Sequence, residues 1–251
     1  MIPLRDDNPT SRPAVVTALL CLACALVYFL VQPTPFAQSS DDVAFELRHA
    51  AIPLELRERR PLTRCEVATT YSSTATAAAT CGTTAGEQAY ARGKNVALGV
   101  LESLFLHGSI EHLFGNLLFL WIFGNNVEDG LGRIRYLLFY VVGGVVATLA
   151  YVLVHPSSQT TLIGASGAIA AVMGAYLVWF PRAPIQSLLV IVPVRLPAWV
   201  LLLFWFVLQF FTGPNSQVAW VAHVAGFLFG VVVGIVLRSH RPQRPAIRAD
   251  A

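Results

Sequence analysis

The sequence predicts an all-α membrane protein, built as a bundle of six transmembrane helices with both termini in the cytoplasm. Of its 251 residues, 55% are hydrophobic and 12% are charged, whereas about 25% of the residues in soluble domains are charged. Several apolar runs approach the length of about 20 residues with which a helix crosses a bilayer. The 17 basic residues are dispersed along the chain, so no nucleic-acid partner is expected.

Polar or turn-forming segments separate the apolar runs, and one of these segments is much longer than the others. The spans are expected at residues 14–31, 110–127, 135–154, 166–180, 197–212 and 218–237. Residues 185–194 are expected to lie at the membrane interface or to extend the fifth span, because prolines interrupt the apolar pattern there. The first span is expected to be an anchor, since it lacks a small-residue cleavage site and further spans follow.

The distribution of arginine predicts the orientation, because short cytoplasmic segments collect basic residues. The segments expected in the cytoplasm contain Arg5, Arg12, Arg133, Arg135, Arg182, Arg195, Arg238, Arg241, Arg244 and Arg248. The short loops expected outside, residues 155–163 and 213–217, contain neither lysine nor arginine. We therefore expect a cytoplasmic N-terminal segment over residues 1–13 and a basic cytoplasmic tail over residues 238–251.

Residues 32–95 are expected to form a long extracytoplasmic loop that is partly disordered. The stretch 68–85 is rich in serine, threonine and alanine, a low-complexity composition that indicates a mobile segment. Cys65 and Cys81 bracket most of this stretch. If the loop faces an oxidising compartment, a disulfide between them is expected, and two free thiols are the alternative.

The Gly-Ala-Ser-Gly block at residues 164–167 places the hydroxyl of Ser166 at the start of an apolar helix. Glycines on both sides let other backbone approach that hydroxyl closely. A serine at such a position commonly bonds to its own backbone, so a nucleophilic role requires a base at the same depth. His223 is the candidate base, because the expected topology places both residues in the outer half of the membrane, where polar groups face a protein interior or a wet cavity.

Small residues recur at every fourth position on the fourth and sixth spans. On the sixth span they are Ala222, Gly226, Gly230 and Gly234, and on the fourth span they are Ser166, Ala170 and Gly174. Such stripes allow two helices to touch backbone to backbone, which would bring Ser166 within reach of His223. In the alternative interpretation the stripes only pack the helices, and His223 bonds to a carbonyl.

A serine and a histidine without a carboxylate form the simplest catalytic arrangement that the sequence permits. Serine needs a base to act as a nucleophile, and no acidic residue occurs between Asp129 and Asp250. Glu128 and Asp129 are expected on the opposite side of the membrane from His223. The sequence therefore predicts a dyad instead of a triad.

His112 and Asn116 are candidates for stabilising an oxyanion, because they share one helix face at a spacing of four residues. An interhelical polar clamp is the alternative role for this pair. Zinc binding by His107 and His112 is a weaker interpretation, since a spacing of five residues does not match a helical metal motif and no third ligand is evident. No metal or other cofactor is expected.

Three segments of the sequence resemble the motifs of the rhomboid intramembrane serine proteases. They are residues 107–116 (His-Gly-Ser-Ile-Glu-His-Leu-Phe-Gly-Asn), residues 164–167 and residues 222–226 (Ala-His-Val-Ala-Gly). The resemblance extends over approximately residues 96–237 and implies a rhomboid-like catalytic core with five transmembrane helices after the first.

The resemblance also implies roles for individual residues. Ser166 would be the nucleophile and His223 the general base, while His112, Asn116 and the backbone N–H of Ser166 would stabilise the oxyanion. Gly164, Gly167 and Gly226 would be structural residues near the site, and Glu128 and Gly132 resemble a family pattern at a structural turn. Two positions depart from the pattern: Ala170 replaces an aromatic residue that often packs on the histidine, and no tryptophan precedes Arg92.

The expected function is that of a serine endopeptidase that hydrolyses peptide bonds in or near transmembrane segments of single-pass or other membrane-anchored proteins. Its expected location is the plasma or inner membrane, with the active site open to the extracytoplasmic side of the lipid bilayer. A catalytically inactive rhomboid-like protein that binds membrane-protein clients is the alternative. A transporter is disfavoured, because the sequence shows neither internal repeats nor charged residues in the middle of the spans.

Overall fold

The computed structural model describes residues 2–33, 40–189, 191–213 and 218–240. Its α-helices are α1 (Val15–Leu26), α2 (Ser40–His49), α3 (Pro53–Glu58), α4 (Arg64–Tyr71), α5 (Thr74–Thr80), α6 (Val96–Glu102), α7 (Ile110–Leu131), α8 (Arg133–Val154), α9 (Ser166–Trp179), α10 (Ala198–Leu208) and α11 (Trp220–Val236). Its strands are β1 (Ile2–Asp6), β2 (Pro184–Leu189) and β3 (Val192–Pro197). Most of the loop expected at residues 213–217 and the tail arginines Arg241, Arg244 and Arg248 lie outside the described residues.

Each of the six apolar runs contains a helix, and most of these helices are shorter than a full membrane crossing. α1 continues as a π-helical turn to Val31, and α10 continues as a 3-10 turn over Gln209–Phe211. In the described part of the chain, Arg133–Val154 is the one helix long and apolar enough to cross a membrane. Helix α7 has the same length of 22 residues but is less apolar, and the shorter apolar helices have 10–17 residues. The count of six spans and their orientation therefore stay predictions.

Helix α9 forms the centre of the helical bundle, and nearly all of its residues are buried. It packs most extensively on α11, and also on α8 and α7. A Cβ added to Gly230 would fall on the carbonyl oxygen of Ala171, and one added to Gly174 would fall on that of Phe227. The two stripes of small residues therefore meet backbone to backbone, as their spacing predicts.

The mostly helical structure fits the expected all-α membrane fold, and it also contains a small antiparallel sheet that was not predicted. Residues 185–194, expected at the interface or in the fifth span, contribute to β2 and β3, and β2 also pairs with β1 from the N-terminal segment. Asp7 accepts hydrogen bonds from Arg195 and Gln186, which fastens the N-terminal segment to the hairpin. Strand β1 lies about 180 residues before β2 in the chain, so local sequence patterns do not predict their pairing.

Glu128 joins the end of α7 to the beginning of α1. Its side chain is 3% exposed and accepts hydrogen bonds from the backbone N–H of Val16 at 2.9 Å, from that of Thr17 at 2.8 Å and from the Thr17 hydroxyl at 2.8 Å. At the N-terminus of a helix, a carboxylate accepts hydrogen bonds from N–H groups that have no partner within the helix, and its negative charge complements the helix dipole. Glu128 is therefore an N-terminal cap that α7 supplies to α1.

We expect Glu128→Ala to lower the free energy of unfolding by about 2–4 kcal/mol, because it leaves buried donors without an acceptor. Thermal unfolding in detergent measures this loss. Asp129→Ala is the matched control, since the neighbouring carboxylate bonds to Ser11 in an exposed position and should contribute about 1 kcal/mol or less. Equal losses in the two variants would contradict the capping role.

The long segment before α6, which was expected to be a partly disordered loop, is folded over its described part. It contains α2 to α5 and a hydrophobic cluster of Leu47, Ile52, Leu54, Leu62 and Val67. The buried side chains of Lys94 and Glu55 form an ion pair at 2.6 Å. The stretch 68–85, expected to be mobile, holds the end of α4 and all of α5. Its composition is misleading because alanine favours helices and Ser73 caps α5.

Local interactions brace this folded segment further. Cys65 and Cys81 are joined by a disulfide bond across 16 positions of sequence. Thr63 and Glu66 form a capping box at the start of α4. The hydrogen-bonded guanidinium of Arg60 lowers the pKa of the Glu66 carboxyl to about 2. A disulfide, a capping box and an ion pair between Arg60 and Glu66 therefore stabilise the segment.

The folded segment also holds the loop that leads to Ser166. Leu162 N–H donates to the carbonyl of Ala51 at 2.7 Å, and Leu54 N–H donates to that of Ser158 at 3.0 Å. The Thr161 hydroxyl donates to Glu46 at 2.8 Å. Residues 46–54, about 100 positions earlier in the chain, thus fix the conformation of the loop before α9.

Candidate active site

Ser166 is the first residue of α9, and the backbone before it makes a sharp turn. Gly164 has a φ of +116°, a conformation that side chains with a Cβ rarely adopt. Its N–H donates to the carbonyl of Ser103 at 2.9 Å, which fixes the turn against the segment before α7. Ser166 itself is half-buried, so its hydroxyl is held by a rigid turn and remains accessible.

His223 lies in the first turn of α11, and its Nε2 is 2.7 Å from Ser166 Oγ. The close approach of the two helices makes this distance possible. A Cβ added to Gly226 would fall on the carbonyl oxygen of Gly167, and one added to Gly167 would lie 2.6 Å from the Cβ of Ala147 on α8. The absence of side chains at both glycines therefore brings a hydroxyl and an imidazole into hydrogen-bond contact.

Two residues of the α10 segment hold the imidazole from its other side. His223 Nδ1 lies 2.7 Å from Gln209 Oε1, and the ring of Trp205 lies 5.8 Å from the His223 ring between centroids, tilted by 35°. Trp205 thus supplies the aromatic contact that Ala170, buried in α9, does not. Sequence reasoning missed both residues, although Gln209 is the single polar side chain in the apolar run 198–211.

His112 and Asn116 lie beside the turn that precedes Ser166. A Cβ added to Gly164 would lie 2.7 Å from the His112 ring and 3.6 Å from Asn116 Nδ2, so both side chains face this glycine. Asn116 is 8% exposed, and its buried Nδ2 has no hydrogen-bond partner among the described residues. The site therefore contains a desolvated N–H donor without an acceptor, which is rare in folded proteins.

His107 lies behind His112 and contributes to packing. Its ring is completely buried and contacts the His112 ring at 5.2 Å between centroids. Gln32, just after α1, exchanges two hydrogen bonds with the backbone of His107. Within the described residues, no group of three or more histidine, cysteine or acidic side chains is arranged to hold a metal ion.

The four polar residues singled out from the sequence thus converge on one place: Ser166, His223, His112 and Asn116. Among the described residues, no carboxylate is hydrogen-bonded to His223, whose Nδ1 partner is the amide of Gln209. Glu128 instead caps α1. Chemically, the arrangement provides a hydroxyl paired with a base and, next to them, an N–H donor that no described residue occupies.

Comparison with known protein families identifies a domain that contains all of these residues. The family described as Rhomboid domain matches residues 94–240. RHOMBOID-like protein 5 of Arabidopsis thaliana is 30% identical over 144 residues, which are 57% of this chain and 45% of that protein. Rhomboid protein 1, mitochondrial, of Saccharomyces cerevisiae is 30% identical over 147 residues, which are 55% of this chain and 41% of that protein.

A bacterial relative is similar to the same extent. Rhomboid protease GlpG of Yersinia pestis is 30% identical over 129 residues, which are 51% of this chain and 44% of that protein. The matched regions of all three relatives thus cover less than half of each relative's length.

Proposed function

This chain belongs to the rhomboid family, whose members are integral membrane proteins, and from this premise we propose that it is an intramembrane serine endopeptidase. The observation that carries the proposal is the 2.7 Å contact between Ser166 Oγ and His223 Nε2. A serine that served only to pack two helices would not need an imidazole nitrogen as its acceptor. The contact is the geometry that a nucleophile and its general base require.

In the proposed reaction, Ser166 Oγ attacks the carbonyl carbon of the scissile peptide bond while His223 Nε2 takes the hydroxyl proton. The protonated His223 then gives this proton to the leaving amine nitrogen as the C–N bond breaks, which leaves an acyl ester on Ser166. Water attacks the ester carbonyl and loses a proton to His223. The bond between the acyl carbon and Ser166 Oγ then breaks, and His223 gives its proton to Oγ, which restores the Ser166 hydroxyl and releases the carboxyl product.

The proposal assigns the unoccupied donor of Asn116 to the oxyanion of the tetrahedral intermediate. Its Nδ2 has no partner among the residues that the structure describes, so a hydrogen bond to the oxyanion forms without breaking one of theirs. The His112 ring beside Gly164 and the backbone N–H of Ser166 are proposed as further donors. Stabilisation that appears only with the developing charge accelerates the chemical step itself.

The proposed substrates are single-pass or other membrane-anchored proteins, cut in or near their transmembrane segments. A substrate helix must unwind at the cleavage site, because intact helices bind their carbonyls in hydrogen bonds to the residue four positions later. The site is proposed to open to the extracytoplasmic side of the plasma or inner membrane, where water reaches Ser166. The loop that leads to Ser166 and the disulfide-braced segment that holds it would lie on that side.

We expect purified protein in detergent to react with a fluorophosphonate probe and to cleave a model transmembrane substrate. Ser166→Ala and His223→Ala should both lose labelling, and cleavage should fall by at least about 10³-fold in each, because the two residues act as a unit. Ser187→Ala is the control, since it makes the same change at a serine that is buried, with 1% exposure, and that belongs to β2 instead of α9. The control should label and cleave like the wild type.

Two results would overturn the proposal. One is cleavage of the model substrate by Ser166→Ala at the wild-type rate. The other is a folded wild-type protein that neither labels nor cleaves while it binds membrane-protein clients, which would identify an inactive member of the family.

A further inference from the structure

We propose that Gln209 is a positioning residue that holds His223 in the tautomer able to accept the Ser166 proton. The inference rests on the proposed function and extends the pair of Ser166 and His223 to a chain of three side chains. Gln209 follows α10, and its side chain is buried, with 7% exposure. A buried amide in a segment that is otherwise apolar has to find hydrogen-bond partners.

The partners of the amide fix its orientation. Gln209 Nε2 donates a hydrogen bond to the carbonyl of Trp205 at 3.0 Å, so Oε1 is the atom directed at His223, at 2.7 Å from Nδ1. An amide oxygen can only accept a hydrogen bond, and therefore Nδ1 must carry the hydrogen. A neutral imidazole has one N–H, so the lone pair is on Nε2, which faces Ser166 Oγ.

The surroundings hold both members of this contact in place. The carbonyl of Gln209 accepts a hydrogen bond from the Thr212 hydroxyl at 2.8 Å, which tightens the turn that carries the amide. The Trp205 ring, one turn earlier on α10, lies against the His223 ring and restricts its tilt. The amide contact and the ring contact thus constrain the imidazole in two different directions.

An amide suits this place better than the carboxylate of a Ser-His-Asp triad. A carboxylate inside a membrane protein carries a large desolvation cost, whereas a neutral amide oxygen provides the same acceptor at a lower cost. The amide stabilises a protonated imidazole less than a carboxylate would. Its principal effect is therefore on tautomer and orientation.

The test compares two replacements of similar length on a model transmembrane substrate in detergent. Gln209→Met removes the acceptor, and kcat should fall about tenfold with KM nearly unchanged, as for the loss of one buried hydrogen bond. Gln209→Glu keeps an oxygen towards Nδ1, and kcat should stay within about threefold of the wild type. Because a carboxylate titrates and an amide does not, only the Glu variant should add an ionisation to the pH–rate profile.

Phe211→Met is the matched control, since this exposed side chain lies on the same turn, and it should behave like the wild type. Unchanged kcat in Gln209→Met, or equal losses in the Met and Glu variants together with lower thermal stability, would overturn the positioning role. The latter result would mean that Gln209 only supports the fold.

A second measurement needs no turnover and therefore separates this inference from the proposed function. Nitrogen-15 NMR of labelled histidine, with His223→Ala to assign the signal, reports which ring nitrogen carries the hydrogen. The wild type should have it on Nδ1, and Gln209→Met should show a mixture of tautomers. Identical signals in the two proteins would overturn the inference. If Ser166→Ala cleaved like the wild type while the tautomer shift was present, the proposed function alone would fail.

Discussion

Gly226→Val is expected to abolish cleavage by the proposed peptidase and to lower its unfolding temperature. A Cβ at this position would fall on the carbonyl oxygen of Gly167. A backbone atom cannot avoid this clash by a rotamer change, as a side chain could. Helix α11 would have to move away from α9, and His223, about one turn earlier, would move with it. A displacement of about 1 Å at the reacting groups costs about 100-fold in rate, and overpacking costs about 1–3 kcal/mol of stability. Measurements of kcat/KM and of thermal unfolding report the two effects.

Gly115→Val is the matched control for this prediction. Gly115 is also a helical glycine, in α7, but a Cβ there would meet no atom within 4 Å. Both variants make the same change of helix propensity, and we expect the control to retain activity within about threefold. Wild-type activity in Gly226→Val would show that the close contact of α9 with α11 does not determine the distance between Ser166 and His223.

Asn116→Leu is expected to lower kcat by about 10²–10³-fold with little change in KM, the usual effect of removing one oxyanion donor. The resting protein gains no hydrogen bond from Asn116 Nδ2, because this buried atom has no partner among the described residues. Removing an unsatisfied polar group is therefore not expected to reduce the free energy of unfolding, and it can raise it. The prediction is a large loss of rate without a loss of stability, measured by steady-state kinetics and thermal unfolding.

Asn126→Leu on the same helix should behave in the opposite way. Its amide is fully engaged, because Nδ2 donates to Asp6 at 2.7 Å and Oδ1 accepts from Asn8 at 2.5 Å. The replacement leaves buried groups unpaired and should lower the free energy of unfolding by about 1–3 kcal/mol. If Asn116→Leu lost as much stability as Asn126→Leu while keeping its kcat, Asn116 would be a structural clamp and not an oxyanion donor.

The reacting groups were predictable because they depend on patterns that the chain repeats locally. A spacing of four residues puts Gly226 and Gly230 on one face of α11, and the same spacing joins His112 to Asn116. Stripes of small residues can be satisfied only by the backbone of a neighbouring helix. The contact of Ser166 with His223 follows once those two faces meet.

The folded segment before α6 and the strand pairing were not predictable in this way. Serine, threonine and alanine in residues 68–85 indicated disorder. The folded segment before α6 as a whole is held together by a few long-range contacts, such as the buried ion pair of Lys94 and Glu55. The pairing of β1 with β2 joins residues about 180 positions apart. Neither contact leaves a periodic signal in the local sequence.

The sequence by itself determined the membrane-type composition, the positions of the main helices and the candidate residues Ser166, His223, His112 and Asn116, because each depends on composition or on spacing along one helix. Only the tertiary structure decided that Gln209 and Trp205 face the imidazole, and that the Asn116 donor meets no acceptor within the described part of the chain. These features arise where separate helices meet. The relative position of two helices depends on the packing of the whole bundle, and no single segment of the chain specifies it.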